Sequence, residues 1–296
     1  MAALIGGLSA AASRLGSLPS YEEWASLACF VLTSYIMVEL SNVNALIRVR
    51  SRMVTSTFIV LSAAAAFIIG PIPPVVTQLS FVAATLILFS TYQNRQAMGS
   101  TFFAFFFIGL ATCTFVQTFL LVPVVWILMA TQLQSLSWRS WLASLLGLLT
   151  PYWLMLPWLI FEGDFTLWTN HIERLTATFS RPLDFSDVTP GQAALFLLTI
   201  IIFAIGASHF WTHSYEDKIR IRLLYGFFAV MTMTCAVLLI FLPHYYATLM
   251  RLMLIFASPF AAHFFTLTSS RLTNVLFIIV LFATLAVGVL NIFGIG

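Results

Sequence analysis

Charge is what this sequence has least of. Only 8% of its 296 residues are Asp, Glu, Lys or Arg, against roughly 25% in a soluble globular domain. A chain that is 61% hydrophobic, with 29 Phe and a mean hydropathy of +1.01, cannot cover itself with a polar surface in water. Lipid removes that requirement, because the outside of the fold can then be as apolar as its inside. The formal net charge of +3 is small and dispersed, which excludes a nucleic-acid partner. Cysteine is scarce too. Cys29, Cys113 and Cys235 lie within apolar runs at no metal-binding spacing, and they read as small core residues. There is no Gly-rich phosphate loop, no His-Glu-x-x-His and no Gly-x-Ser-x-Gly, so neither a cofactor nor a metal is indicated. The five histidines, His171, His209, His213, His244 and His263, read as scattered.

What is present is a series of long apolar runs, such as Ala194–Ala207 and Val275–Leu290. In hydrocarbon every backbone amide and carbonyl must be satisfied within its own helix or within a closed barrel. Barrel strands alternate in polarity over about ten residues, and these runs do not. The expected fold is therefore all-α, a polytopic transmembrane bundle of about ten helices. The predicted spans are residues 25–41, 54–70, 75–92, 101–114, 116–131, 141–161, 191–211, 222–242, 247–267 and 273–294. The fourth and fifth are short and predict a bent or re-entrant hairpin around Thr112–Gln117. Residues 1–24 read as an interfacial helix or an incomplete first span. Residues 25–161 and 191–296 then form the membrane helices on either side of a loop at 162–190. Within that loop Trp168, Ile172, Leu175 and Phe179 recur at helical spacing and predict an interfacial helix.

Orientation follows from Lys and Arg, which are retained on the cytoplasmic side. With the loop after the first helix inside, Arg48, Arg50, Arg52, Arg95, Arg139, Lys218, Arg220, Arg222 and Arg271 all fall inside. Glu22, Glu23, Glu162, Asp164, Glu173, Asp184 and Asp187 fall outside, so the outer face carries most of the carboxylates.

Four constellations have chemical potential. Arg48, Arg50 and Arg52 form a cytoplasmic anchor or an anionic-lipid contact. Ser20-Tyr21-Glu22-Glu23 reads as a helix-starting capping box, or as a general base at the membrane surface. Glu162 and Asp164 are paired carboxylates at the outer end of the sixth span. His244, Tyr245 and Tyr246 precede Arg251, the charge placed against the positive-inside pattern within a predicted span. A charge there is a functional candidate by default, and outward snorkelling is the bland alternative.

Tyr92-Gln93-Asn94-Arg95 through Gly109-Leu110-Ala111, with Ser137-Trp138-Arg139-Ser140-Trp141 through Gly147-Leu148-Leu149-Thr150-Pro151-Tyr152, resembles an uncharacterised multi-pass membrane family of Bacteroidota. The resemblance covers roughly residues 25–290 and brings no activity with it. The layout also resembles the membrane half of GT-C glycosyltransferases, which move sugars from polyprenyl-phosphate carriers on the outer face. The elements that carry that likeness are Glu22 and Glu23, Arg48–Arg52, Gly109–Ala111, Pro157-Trp158, and Tyr245, Tyr246 and Arg251. It implies a bacterial inner-membrane protein working on a polyprenyl-phosphate-linked sugar. Glu22 or Glu23 would be the catalytic base, and Arg251 with His244, Tyr245 and Tyr246 would hold the lipid phosphate. The alternatives are a non-catalytic subunit with protein partners in the envelope, and a small-molecule transporter. Of the partners, membrane lipids follow from composition alone.

Overall fold

The computed structural model describes residues 20–49, 51–162, 169, 171, 173–176, 178, 184–186, 188–268 and 271–293. Among the described residues there are helices and no strands, as continuous apolar runs require. The α-helices are α1 (Tyr21–Asn44), α2 (Met53–Ala64), α3 (Ile72–Ser90), α4 (Met98–Thr114), α5 (Val122–Thr131), α6 (Trp138–Glu162), α7 (Pro190–His213), α8 (Ile219–Phe241), α9 (Tyr246–Leu267) and α10 (Arg271–Phe293). Six are long and apolar enough to cross a membrane: α1, α3, α7, α8, α9 and α10. Helices α2, α4 and α5 are shorter and apolar, and α6 carries Pro151 and Pro157 inside it.

Local chemistry accounts for the helix ends. Ser20 and Glu23 close the expected capping box, with Glu23 N–H donating to Ser20 Oγ and Ser20 N–H to Glu23 Oε2. Thr189 and Gln192 form a second box at the start of α7, where Pro190 occupies the first turn and costs no hydrogen bond. The bend expected around Thr112–Gln117 lies at Phe115, whose extended backbone ends α4 before a 3₁₀ turn, Val116–Leu121, leads into α5.

The chain divides into two compact units, residues 1–75 with 184–296, and residues 76–183. In the second unit α4 packs along α6. The approach is close at two glycines. A β-carbon on Gly147 would lie 2.3 Å from the Phe102 carbonyl oxygen, and one on Gly109 would lie 2.6 Å from that of Leu148. These glycines belong to the two motifs that carry the family resemblance, and here they let two helix backbones touch.

In the first unit α9 is central, packed by α2, α7 and α8, and every residue from Thr248 to His263 is buried. Pro259 removes the amide that would have bonded the carbonyl of Ile255. The Ser258 hydroxyl donates to that carbonyl instead, at 3.1 Å, which keeps the central helix satisfied without water. Helix α10, resting on α7 and α2, leaves Val275, Phe277, Ile278, Ile279 and Phe282 exposed, the side chains expected to face lipid. Cys235 is buried, but Cys29 and Cys113 are only half-buried, so just one of the three is a core residue.

Candidate functional site

The first unit has two polar ends, each built where helix starts and helix stops meet. One carries Glu22 and Arg251, the other Arg48.

At the Glu22 end, Arg251 sits in the second turn of α9 and is 2% exposed. Its Nη1 donates to the Phe67 carbonyl at 2.7 Å, and its guanidinium carbon lies 4.4 Å from the centre of the Phe67 ring. Phe67 lies in the turn just past the C-terminus of α2, so the guanidinium holds that turn, while the last carbonyls of the helix are taken by the amides of Ala65, Ala66 and Phe67 and by Asn291. The turn is made possible by Ala66, which adopts a left-handed φ of 55°. Gly70 follows within reach: a β-carbon there would stand 2.8 Å from Arg251 Nη2. Gly70 in turn donates its amide to Ser26 Oγ on α1 at 3.1 Å. Glu22 precedes Ser26 by one helical turn on the same face of α1, and it is exposed.

The other residues expected at this end are placed differently. Tyr246 is buried, but its hydroxyl donates to the Gln192 carbonyl at 2.8 Å. It precedes Arg251 on the same helix by a spacing that turns the two side chains about 140° apart. Tyr245 and His244 are half-buried in a 3₁₀ turn, Pro243–Tyr245. His244 is close enough to Asp184 to help hold its carboxyl below the ordinary range, the larger cause being the Ser186 backbone amide that donates to Asp184 at 2.9 Å. Glu23 serves the capping box. Asp164 and the Glu162 side chain lie outside the described residues, as do Trp168, Ile172 and Phe179 of the expected interfacial helix. Within that stretch Glu173–Thr176 are helical.

At the Arg48 end the arrangement departs from the sequence reading. Arg48 Nε donates to Asp217 Oδ1 at 2.7 Å, across a separation of 169 residues. The Asp217 side chain is 1% exposed and lies between α7 and α8. Its Oδ2 faces His263 Nε2 at 3.5 Å, and the His263 side chain is also 1% exposed. The His209 ring centre lies 5.8 Å from that of His263 and 4.4 Å from that of His213, which is exposed. Phe210 and Tyr225 close the remaining sides of His263, their ring centres 5.1 and 5.4 Å away. Arg220 donates to Asn44 Oδ1 at 2.8 Å, joining the start of α8 to the end of α1 beside the same connections. Arg52 is exposed at the start of α2, and Arg50 lies outside the described residues.

Three of the five histidines are thus not scattered but gathered. The signal was legible in hindsight: His209 and His263 each stand four residues before the end of their helices, at matched depth in two helices running the same way. Asp217 had no such signal, since an acidic residue in a basic connection reads as solvated. Among the described residues no group of three His, Cys, Asp or Glu side chains is set to hold a metal ion.

Taken together, the six apolar helices and the scarcity of charge define a multi-pass membrane protein. No protein-family model, no curated protein and no solved structure matches the chain.

Proposed function

We propose that this is a bacterial inner-membrane protein of GT-C-like layout that handles a polyprenyl-phosphate-linked lipid at the Glu22 end. The observation that carries the reading is the burial of Arg251, an ionised group kept inside an apolar bundle at a helix end. A guanidinium inside the bundle costs energy, about 2.5–3.5 kcal/mol at the membrane centre and less near the interface. Its contacts include the Phe67 carbonyl and the Phe67 ring, both supplied by the short turn after α2. A lipid phosphate that displaced Phe67 would offer two charged oxygens to the planar fork of Arg251. Glu22 is the exposed carboxylate one turn above the Ser26–Gly70 contact, and it is the base available to an acceptor hydroxyl. As that hydroxyl oxygen bonds to the sugar, its proton passes to Glu22, and the lipid phosphate leaves with the bonding electron pair. Arg251 neutralises the charge that develops on it.

The second reading is a non-catalytic membrane subunit of an envelope-assembly complex. It is favoured by the engagement of Glu23 in a helix cap and by the turning of Tyr246 toward Gln192.

Binding of a long-chain polyprenyl phosphate to the protein in lipid nanodiscs separates the two, with the uncharged polyprenol as control. Arg251→Lys should weaken phosphate binding about tenfold or more while leaving the polyprenol unaffected, because an ammonium cannot form the paired contact. Equal binding of the phosphate by wild type and Arg251→Lys, both shown folded by their thermal transitions, would leave the transferase reading without its central residue.

A further inference from the structure

Between α2 and α10 the first unit carries an apolar groove that lies apart from both polar ends. Its walls come from residues 53–61 of α2 and 277–284 of α10, and its floor from Ile202 of α7 and Ala261 of α9, both buried. It encloses a cavity of about 120 Å³, close in size to the roughly 150 Å³ apolar cavity that stays dry and takes up benzene. Three hydroxyls stand in the walls, and each is turned back on a backbone carbonyl. Ser56 Oγ donates to the Arg52 carbonyl at 3.1 Å, Thr57 Oγ1 to that of Met53 at 2.9 Å, and Thr284 Oγ1 to that of Leu281 at 2.8 Å. What faces the cavity is therefore hydrocarbon, and a water there would lack the polar partners it needs.

Size, depth and charge narrow the occupant. A helix is about 10 Å across, too wide for such a cavity, whereas a single hydrocarbon chain fits. From Met53 to Leu61 the groove follows α2 for about 12 Å at 1.5 Å per residue. That is a little less than half of a hydrocarbon core about 30 Å thick, so the groove is one leaflet deep. It begins beside Arg52, which is exposed and stands one turn before Ser56 on the same face of α2. Asn291, near the end of α10, donates to the carbonyl of Ala64 at the end of α2, at 2.9 Å. The two helices thus finish together, and Arg271, exposed at the start of α10, lies at the Arg52 end. Among the described residues neither guanidinium is held by a carboxylate, and no carboxylate lines the groove.

We propose that this groove binds one acyl chain of an anionic glycerophospholipid from the leaflet at the Arg48 end, with the lipid phosphate held by Arg52 and Arg271. The chain lies along α2 and α10 over Ala261, and the headgroup joins the starts of the same two helices. The lipid fastens α10 to the bundle at the end opposite to its Asn291–Ala64 contact. The site does not depend on the polyprenyl-phosphate reading, whose Arg251 contacts the turn at the other end of α2.

The test is photo-crosslinking of the full chain in nanodiscs. The probe is phosphatidylglycerol with a diazirine midway along one acyl chain, and labelled peptides are mapped by mass spectrometry. Label should concentrate on the groove residues of α2 and α10. Unlabelled phosphatidylglycerol should displace it at a mole fraction about tenfold below that of phosphatidylcholine with the same chains, since each basic residue near an anionic lipid contributes about fivefold. Arg52→Gln combined with Arg271→Gln should erase that preference. Arg222→Gln, which removes an exposed charge from the start of α8, should leave it, and so should Arg251→Lys. Val280→Phe puts a ring into the groove and should remove the groove label while sparing label at Phe282, on the exposed face of the same helix. Four results would overturn the proposal: label no denser in the groove than at Phe282, equal displacement by the two phospholipids in wild type, a preference that survives loss of both arginines, or displacement by polyprenyl phosphate at a lower mole fraction than phosphatidylglycerol, which would give the groove to the carrier lipid instead.

Discussion

Replacing Gly147 with alanine tests whether the α4–α6 contact is as close as the backbone positions imply. The new methyl carbon would lie 2.3 Å from the Phe102 carbonyl oxygen and 3.1 Å from both the Phe102 carbonyl carbon and the Phe106 amide nitrogen. Ordinary contact begins at 3.4 Å, so the nearest pair falls about 1.1 Å short. All three atoms are backbone within α4, and none can rotate away, so the two helices must separate along their contact. Overpacking costs about 1–3 kcal/mol, and a clash this short against fixed backbone falls at the upper end of that range, which outweighs the roughly 1 kcal/mol that alanine gains over glycine in a helix. Gly99, in the first turn of α4, is the matched control. Nothing lies within 4 Å of a β-carbon there, so Gly99→Ala should be neutral or stabilising by up to about 1 kcal/mol. Denaturant unfolding in mixed micelles, followed by tryptophan fluorescence, reads the difference directly. Trp126 donates to Ser144 at 3.0 Å and its ring lies 5.9 Å from that of Trp141, so its emission reports on the α5–α6 side of the same unit. The two alanine variants should differ by about 2 kcal/mol or more. A Gly147→Ala protein within about 0.5 kcal/mol of wild type would refute the close approach and, with it, the packing role assigned to the motif glycines.

His171 supplies a pH prediction. Burial, and then the charge of Arg174, hold its imidazole below the ordinary value of 6.5, and its Nε2 lies 3.2 Å from the Tyr152 hydroxyl. A depressed histidine stabilises the folded arrangement above the unfolded value and loses that contribution as pH falls below it. Hydrogen exchange across Glu173–Thr176, corrected for intrinsic rates, should therefore accelerate below pH 6.5, and a rate that ignores pH would count against the docking. Topology is checked by single cysteines at positions 50 and 177: a reagent confined to the outer face should modify residue 177 and spare residue 50. The reverse pattern would invert the membrane orientation on which the Glu22 end is read as external. Arg251→Lys completes the set, since loss of polyprenyl-phosphate binding with retained polyprenol binding is the outcome expected of a bidentate contact.

Which stretches become helix was written in the sequence, because the forces that decide it are local, but not every end was: the span expected over 54–70 stops at Ala64, before the left-handed turn at Ala66, and the helix expected from residue 25 starts at Tyr21. Helical hydrogen bonds close within four residues, and apolar runs of span length admit no other structure in lipid. The Ser20–Glu23 box, the break near Phe115 and the start of α7 at Pro190 follow from residues adjacent in the chain. Within the first unit the Arg48–Asp217 and Arg220–Asn44 contacts bring the basic stretches around the end of α1 and the start of α8 together.

Which face of each helix is buried was not written there. In water an apolar stripe marks the inner face of a helix. In lipid both faces are apolar, and the stripe disappears. Helices α9 and α10 show the consequence: each is a long apolar run, yet α9 is enclosed on all sides while α10 leaves much of its length exposed. Only tertiary packing settled that Arg251 holds the turn after α2, that Gly109 and Gly147 are contact points, and that His263 on α9 meets Asp217. Those pairings join residues far apart in the chain, and they depend on helix rotation, a variable that the hydropathy of a membrane protein does not encode.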